Sequence, residues 1–185
     1  MDPGTESYLR FLQGDDGGLA EIIRTYKDGL ILYLYGYVKD IGVAEELAED
    51  TFVKLVVKRP RFSPQYSFKT WLYTIGRNGA INFLRRNKRQ NVPLEDLPHL
   101  RDEAQDLERA YLQEENRILL HRAMEQLKQE YAQVLWLAYF EGFSYQQIGR
   151  ILKKTTHNIE TLAYRARLAL KQILIKEGFD YENLC

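Results

Sequence analysis

The sequence predicts an all-α protein: two small helical domains joined by a linker, the second ending in a helix-turn-helix. Three observations carry this. Apolar residues recur at three- and four-residue intervals along nearly the whole chain, and no stretch alternates as a strand does. That pattern lapses once, between Asn91 and Glu103, where Pro93 and Pro98 sit among acids. Beyond Gly142, two short helical patterns are separated only by Lys153-Lys154-Thr155. The domains expected are therefore residues 1–90 and 104–185, with 91–103 as the linker.

The elements follow in order. Leu19, Ile22, Ile23, Tyr26, Leu30, Tyr33, Leu34 and Tyr37 form the apolar face of one long helix started near Asp15 or Asp16. A second helix opens after Gly42, with Val43, Leu47, Thr51, Phe52, Leu55 and Val56 on one face and Pro60 as its end. Arg61 to Gln65 read as a loop broken by Pro64, and a third helix runs from about Tyr66 to Arg89. In it Phe68, Trp71, Leu72 and Ile75 have the spacing of a buried stripe. After the linker comes a charged helix, Ala104 to Met124, with Leu107, Tyr111, Ile118, Leu119 and Ala123 as a sparse stripe. Three shorter helices are expected over Gln129–Glu141, Tyr145–Leu152 and Thr156–Glu177.

Formal charge is zero overall but strongly segregated. Residues 54–91 carry ten bases and no acid, residues 1–53 net −7, and residues 92–130 net −5. Phe62, Tyr66, Phe68, Trp71, Tyr73 and Phe83 are threaded among those bases. Cations that track phosphates, interleaved with rings on which bases stack, suit a single-stranded nucleic acid. A solvated basic face is the alternative. The single cysteine, Cys185, permits no internal disulfide and no cysteine-based metal site, which fits a reducing cytoplasm. Met1 to Gln13 carries acids and no apolar core, so it does not read as a signal peptide. No run approaches a membrane span. His99, His121 and His157 lack metal-ligand spacing, and there is no phosphate loop or nucleophile motif, so neither a cofactor nor an enzyme is expected.

In the C-terminal part, Ser144 and Gln147 make a capping box and Thr155 an N-cap. The last helix would then present His157, Asn158, Thr161, Tyr164, Arg165 and Arg167 outward, while Ile159, Leu162 or Ala163, and Ala166 pack inward. In a helix-turn-helix the second helix enters the major groove. A plain three-helix bundle would share this periodicity.

Residue identity separates these alternatives. Tyr139-Phe140-Glu141-Gly142-Phe143-Ser144-Tyr145-Gln146-Gln147-Ile148, closing on Tyr164-Arg165-Ala166-Arg167 and Leu170, resembles region four of bacterial RNA polymerase sigma factors. Phe68-Lys69-Thr70-Trp71-Leu72-Tyr73-Thr74-Ile75-Gly76-Arg77-Asn78, followed by Leu84-Arg85-Arg86, resembles region two of the small extracytoplasmic-function group. Val43-Ala44-Glu45-Glu46-Leu47-Ala48-Glu49-Asp50-Thr51-Phe52 does too, and the three matches keep the family's order over most of residues 15–175.

The resemblance implies a non-enzymatic initiation factor with core RNA polymerase and promoter DNA as partners, and an anti-sigma protein as a further candidate. Glu45, Glu46, Glu49 and Asp50 would dock on the polymerase. Their i,i+4 like-charge pairs cost an isolated helix a few tenths of a kcal/mol, a cost that a basic partner removes. Arg61, Ser63, Lys69, Arg77, Asn78, Asn82, Arg85 and Arg86 would bind the −10 element, the Arg61–Ser67 loop being where similar proteins capture an unstacked base. Thr155, His157, Asn158, Glu160, Thr161, Tyr164, Arg165 and Arg167 would contact the −35 element.

The chain also departs from the family pattern. Lys153 stands where Gly is usual in the turn, Gly76 where Ala is, and Asn82 where Asp is frequent. The recognition helix reads His157-Asn158-Ile159-Glu160-Thr161-Leu162 without its usual cations, and Glu160 lowers phosphate affinity. A DNA-binding regulator that works without polymerase is the competing expectation. Such a protein needs no acidic helix beside an aromatic basic one.

Overall fold

The computed structural model describes residues 2–63, 66–89 and 115–177, and every regular element among them is helical. The chain divides into two compact units. The first is built on α1 (Pro3–Leu12), α2 (Asp16–Val38), α3 (Ile41–Lys58) and α4 (Phe68–Arg89). The second is built principally on α5 (Glu115–Glu125), α6 (Gln129–Leu135), which continues as a π-helical turn over Trp136–Phe140, α7 (Tyr145–Leu152) and α8 (Thr156–Lys176). The expected linker (91–103), the charged helix before Glu115 with Leu107 and Tyr111, the breaker Pro64, His99 and Cys185 all lie outside the described residues, as do the side chains of Ile118 and Leu119.

α2 is the axis of the first unit. Leu30, Ile31, Leu32, Tyr33 and Leu34 are all buried, so the helix is apolar around its circumference there and packs against α1, α3 and α4. Asp15 caps it by accepting from the Gly17 N–H at 2.9 Å, and Lys39 closes it in the left-handed region at φ 58°. α3 begins at Ile41, two residues earlier than a start after Gly42 would place it. The Asp40 side chain accepts from the Val43 N–H at 3.0 Å and draws Ile41 into the first turn. Its buried face is Ile41, Ala44, Leu47, Ala48, Thr51, Phe52 and Leu55. Val43 and Val56, expected on that face, fall on its two rims: Val43 is half-buried and Val56 is 41% exposed. At 100° per residue, Val56 is rotated out of line from Leu55.

α4 starts at Phe68, two residues later than Tyr66, because the Asp2 carboxylate accepts from the Phe68 N–H at 2.8 Å. Phe68, Leu72, Tyr73 and Ala80 are fully buried, whereas Trp71 and Ile75 of the expected stripe are half-buried.

α1 is the element that the apolar pattern did not disclose. Its local signals are present: Asp2 as N-cap, Pro3 in the first turn, Glu6 near the start and Arg10 near the end. Ten residues are too few to hold a helix alone, so its stability comes from packing Tyr8 and Phe11 into the unit. Gly18 makes the crossing with α2 possible, since a Cβ there would collide with the Ser7 carbonyl oxygen.

In the second unit, the Ser144 N–H donates to the Gln147 side chain at 2.8 Å, and the Gln147 N–H to the Ser144 hydroxyl at 3.3 Å. This is the expected capping box of α7. The turn into α8 is tight because Gly149 lies under it: a Cβ there would stand 2.7 Å from the Lys154 carbonyl oxygen. Lys153 takes the left-handed conformation at φ 57°, at a cost of about 1 kcal/mol for a residue with a Cβ. On α8 the inward positions are Ile159, Ala163, Ala166 and Leu174, so Ala163 rather than Leu162 packs.

Candidate functional site

Two neighbouring surfaces of the first unit carry the residues singled out from sequence. On α3, Glu46, Glu49 and Asp50 are exposed and Glu45 is half-buried. Among the described residues none of the four is held in an ion pair. The same face becomes apolar further along. Glu46, Asp50, Val53 and Val57 follow one another at helical spacing, with Val53 53% and Val57 74% exposed. Sequence reasoning took Val56 into the apolar face and left Val53 and Val57 unassigned. Their position opposite Leu55 was the available signal.

α4 carries most of the basic set, and the structure divides it. Trp71, Asn78, Asn82 and Arg85 recur at seven-, four- and three-residue steps and so share one face, with Arg86 on its flank. Asn82, Arg85 and Arg86 are exposed, and an Arg85 guanidinium nitrogen donates to the Asn82 amide oxygen at 3.3 Å. Arg77 lies about a quarter-turn away, turned toward α2. There it stands beside the phenols of Tyr33 and Tyr37, whose hydroxyls are 3.0 Å apart. Burial raises both phenol pKa values, and the Arg77 charge draws them partly back. The Lys69 amine sits 5.6 Å over the Tyr73 ring. Arg77 and Lys69 are therefore engaged within the unit, while Asn82, Arg85 and Arg86 face outward.

Before α4, Arg61 and Ser63 are exposed, while Phe62 turns inward to an aromatic cluster. Its ring centroid is 5.2 Å from that of Trp71 and 5.9 Å from Phe68, and Tyr8 is 5.3 Å from both Phe68 and Trp71. The Tyr8 hydroxyl donates to the Pro60 carbonyl at 2.8 Å, and burial pushes its pKa up to about 12, opposed in part by Arg59. Sequence reasoning did not single out Asp2 or Tyr8. The Asp-Pro start at residues 2–3 was the signal that could have found the first.

In the second unit the Thr155 hydroxyl accepts from the Asn158 N–H at 3.2 Å, so it caps α8. His157, Asn158, Glu160, Tyr164 and Arg165 are exposed and Thr161 is half-buried. His157 Nδ1 and Glu160 Oε2 are 3.9 Å apart, so an acid stands beside the helix's first basic group. Arg167 is exposed but tethered: it donates to the Tyr145 hydroxyl at 2.9 Å and the Tyr139 hydroxyl at 3.5 Å. Those hydrogen bonds, Tyr145 first, raise its pKa further. Among the described residues no cluster of acidic, histidine or cysteine side chains forms a cation site, and no described helix is long and apolar enough to cross a membrane.

Comparison with known proteins gives these surfaces a context. Residues 22–90 match the sigma-70 region 2 family and residues 117–170 the sigma-70 region 4 family. The chain is 31% identical over 160 residues to RNA polymerase sigma factor YlaC of Bacillus subtilis, a match covering 85% of this chain and 92% of that protein. It is 26% identical over 171 residues to the extracytoplasmic-function sigma factor SigW of the same organism, covering 88% and 91%. Among solved structures it resembles the sigma factor RpoE in complex with the anti-sigma factor NepR from Bartonella quintana, with a TM-score of 0.64, 22% identity and coverage of 84% and 95%. A regulator acting without polymerase would not need the region-two half, which is matched, as region four is: residues 22–90 carry it. The chain belongs to the sigma-70 family of RNA polymerase sigma factors, in its extracytoplasmic-function group, and directs transcription initiation at promoters.

Proposed function

We propose that residues 1–90 dock on core RNA polymerase and hold the melted −10 element, that 91–103 link the two domains, and that residues 104–185 contact the −35 element. Glu45, Glu46, Glu49 and Asp50 engage the polymerase, and the exposed Val53 and Val57 extend that contact with apolar area. Arg61, Ser63, Asn78, Asn82, Arg85 and Arg86 hold the non-template strand. Lys69 and Arg77 shape the helix from within. Selective binding of the single strand shifts the duplex-melting equilibrium, so opening requires no catalytic step by this chain. In the second unit Thr155, His157, Asn158, Glu160, Thr161, Tyr164 and Arg165 face the −35 duplex, with Arg167 held behind them by Tyr139 and Tyr145.

The observation that carries this reading is the outward face of α4, where Asn82, Arg85 and Arg86 are exposed within a stretch free of acids. The site of action is the cytoplasm, where core polymerase and promoter DNA are found. An anti-sigma protein is a fitting further partner, since RpoE is solved with one and free acidic and apolar surfaces on α3 need covering away from polymerase. Run-off transcription with purified core polymerase over genomic fragments tests the whole reading. Promoter-specific transcripts that depend on this chain are expected, and their absence with a folded protein refutes it.

A further inference from the structure

The aromatic cluster under α4 is bracketed by two hydrogen bonds from α1 that reach far along the chain. The Asp2 carboxylate serves two helices. Its Oδ1 accepts from the Thr5 N–H at 3.2 Å, and its Oδ2 accepts from the Thr5 hydroxyl at 2.8 Å and from the Phe68 N–H at 2.8 Å. One carboxylate thus caps α1 and the first turn of α4, sixty-six residues away. Six residues further along α1, the buried Tyr8 donates its hydroxyl to the Pro60 carbonyl at 2.8 Å. Pro60 and Phe68 flank the segment that carries Arg61 and Ser63, so α1 fixes the backbone on both sides of it. Tyr8 is buried, Asp2 is half-buried with both carboxylate oxygens engaged within the unit, and neither falls within the matched region 22–90.

We propose that α1 is a positioning device for promoter readout: Asp2 and Tyr8 set the placement of Arg61, Ser63 and the start of α4, and through them the base preference at the −10 element. This rests on the reading of α4 given above. The physical basis is preorganisation. A side chain that must discriminate one base from another gains little from a backbone free to shift, because a misplaced donor can satisfy several bases equally well. Two fixed points, one a charge-assisted hydrogen bond to a helix N-terminus, remove that freedom.

Asp2→Asn separates capping from bridging. Asparagine is as good an N-cap as aspartate, so α1 stays capped. With its amide oxygen on the Thr5 N–H, as the cap requires, its amide nitrogen takes the place of Oδ2 and meets the Phe68 N–H donor to donor. Tyr8→Phe keeps the ring in the cluster and removes only the bond to Pro60. Wild type, Asp2→Asn and Tyr8→Phe are each assembled with bacterial core polymerase and used to select forked promoter DNA whose non-template −10 bases are randomised, the bound pool then being sequenced. Wild type should enrich particular bases. Asp2→Asn should flatten the preference at one or two positions about tenfold and Tyr8→Phe about threefold, with core affinity unchanged. Both variants keeping the wild-type base ratios, whether or not total binding or melting temperature falls, would show α1 to be structural only and overturn the proposal. A wild-type holoenzyme with no base preference would instead refute the underlying reading of α4, and this inference with it.

Discussion

α4 and α8 are helices of almost equal length, 22 and 21 residues, yet they dispose their charge in opposite ways. α4 lies in a stretch with ten bases and no acid and exposes Arg85 and Arg86 without tethering them to any described carboxylate. α8 has four bases, Arg165, Arg167, Lys171 and Lys176, and its first turns hold His157 beside Glu160. Its Arg167 is held by two tyrosines of the same unit. On the proposed reading the contrast implies two modes of DNA contact. The first helix would grip by charge, with affinity that falls steeply with salt. The second would rely more on shape and hydrogen bonding, with a weaker dependence on salt.

Breaking each helix in turn should reveal the difference. The largest effect is expected from Arg85→Ala with Arg86→Ala, which should weaken binding to single-stranded promoter DNA about thirtyfold. It should also reduce the slope of log K against log salt by about 1.4, roughly 0.7 for each phosphate left without its cation. Fluorescence anisotropy across a salt series measures both, and an unchanged slope would mean that these side chains are not on phosphates. Gly149→Val acts on the other helix. Its Cβ meets the Lys154 carbonyl oxygen, so the turn must open, and the second unit should lose about 2 kcal/mol of stability. Binding of the −35 duplex should collapse while single-strand binding by α4 persists. Loss of both together would refute the independence of the two grips.

Arg167→Ala is a finer probe. If Tyr139 and Tyr145 hold this guanidinium in place of phosphate, the salt slope for −35 duplex binding should change by less than about 0.3, against roughly 0.9 for a true phosphate contact to duplex DNA. The smallest effect is a gain. Lys153→Gly removes the Cβ from a left-handed residue and should stabilise the second unit by about 0.5–1 kcal/mol. Differential scanning calorimetry would show a melting temperature raised by about 2–6 °C for that transition alone. No shift would mean that the strain is relieved elsewhere in the turn.

Helices were legible wherever local patterns and caps agreed. α2 announced itself through Asp15 and eight apolar residues at helical spacing, and α7 through the Ser144–Gln147 box. α1 was not legible, because four apolar residues in ten make a weak periodic signal and its cap is shared with a helix distant in sequence. The basic surface was legible as a composition but not as a site. Charge counting treats Arg77 and Arg85 alike, although one turns toward buried phenols and the other outward. Val56 of α3 shows the same limit: a β-branched residue near a helix end looks like core until its angle to Leu55 is known.

What the sequence determined by itself was the helical architecture, the segregation of charge into an acidic helix and a basic one, and the order of motifs that marks the family. These depend on short-range periodicity, capping chemistry and residue identity, all of which survive in one dimension. Tertiary structure alone decided which cations are free and that Asp2 and Tyr8 tie α1 to the flanks of the segment carrying Arg61 and Ser63. Such hydrogen bonds span fifty to seventy residues, and no local pattern dictates which donor a carboxylate will meet once the chain has folded.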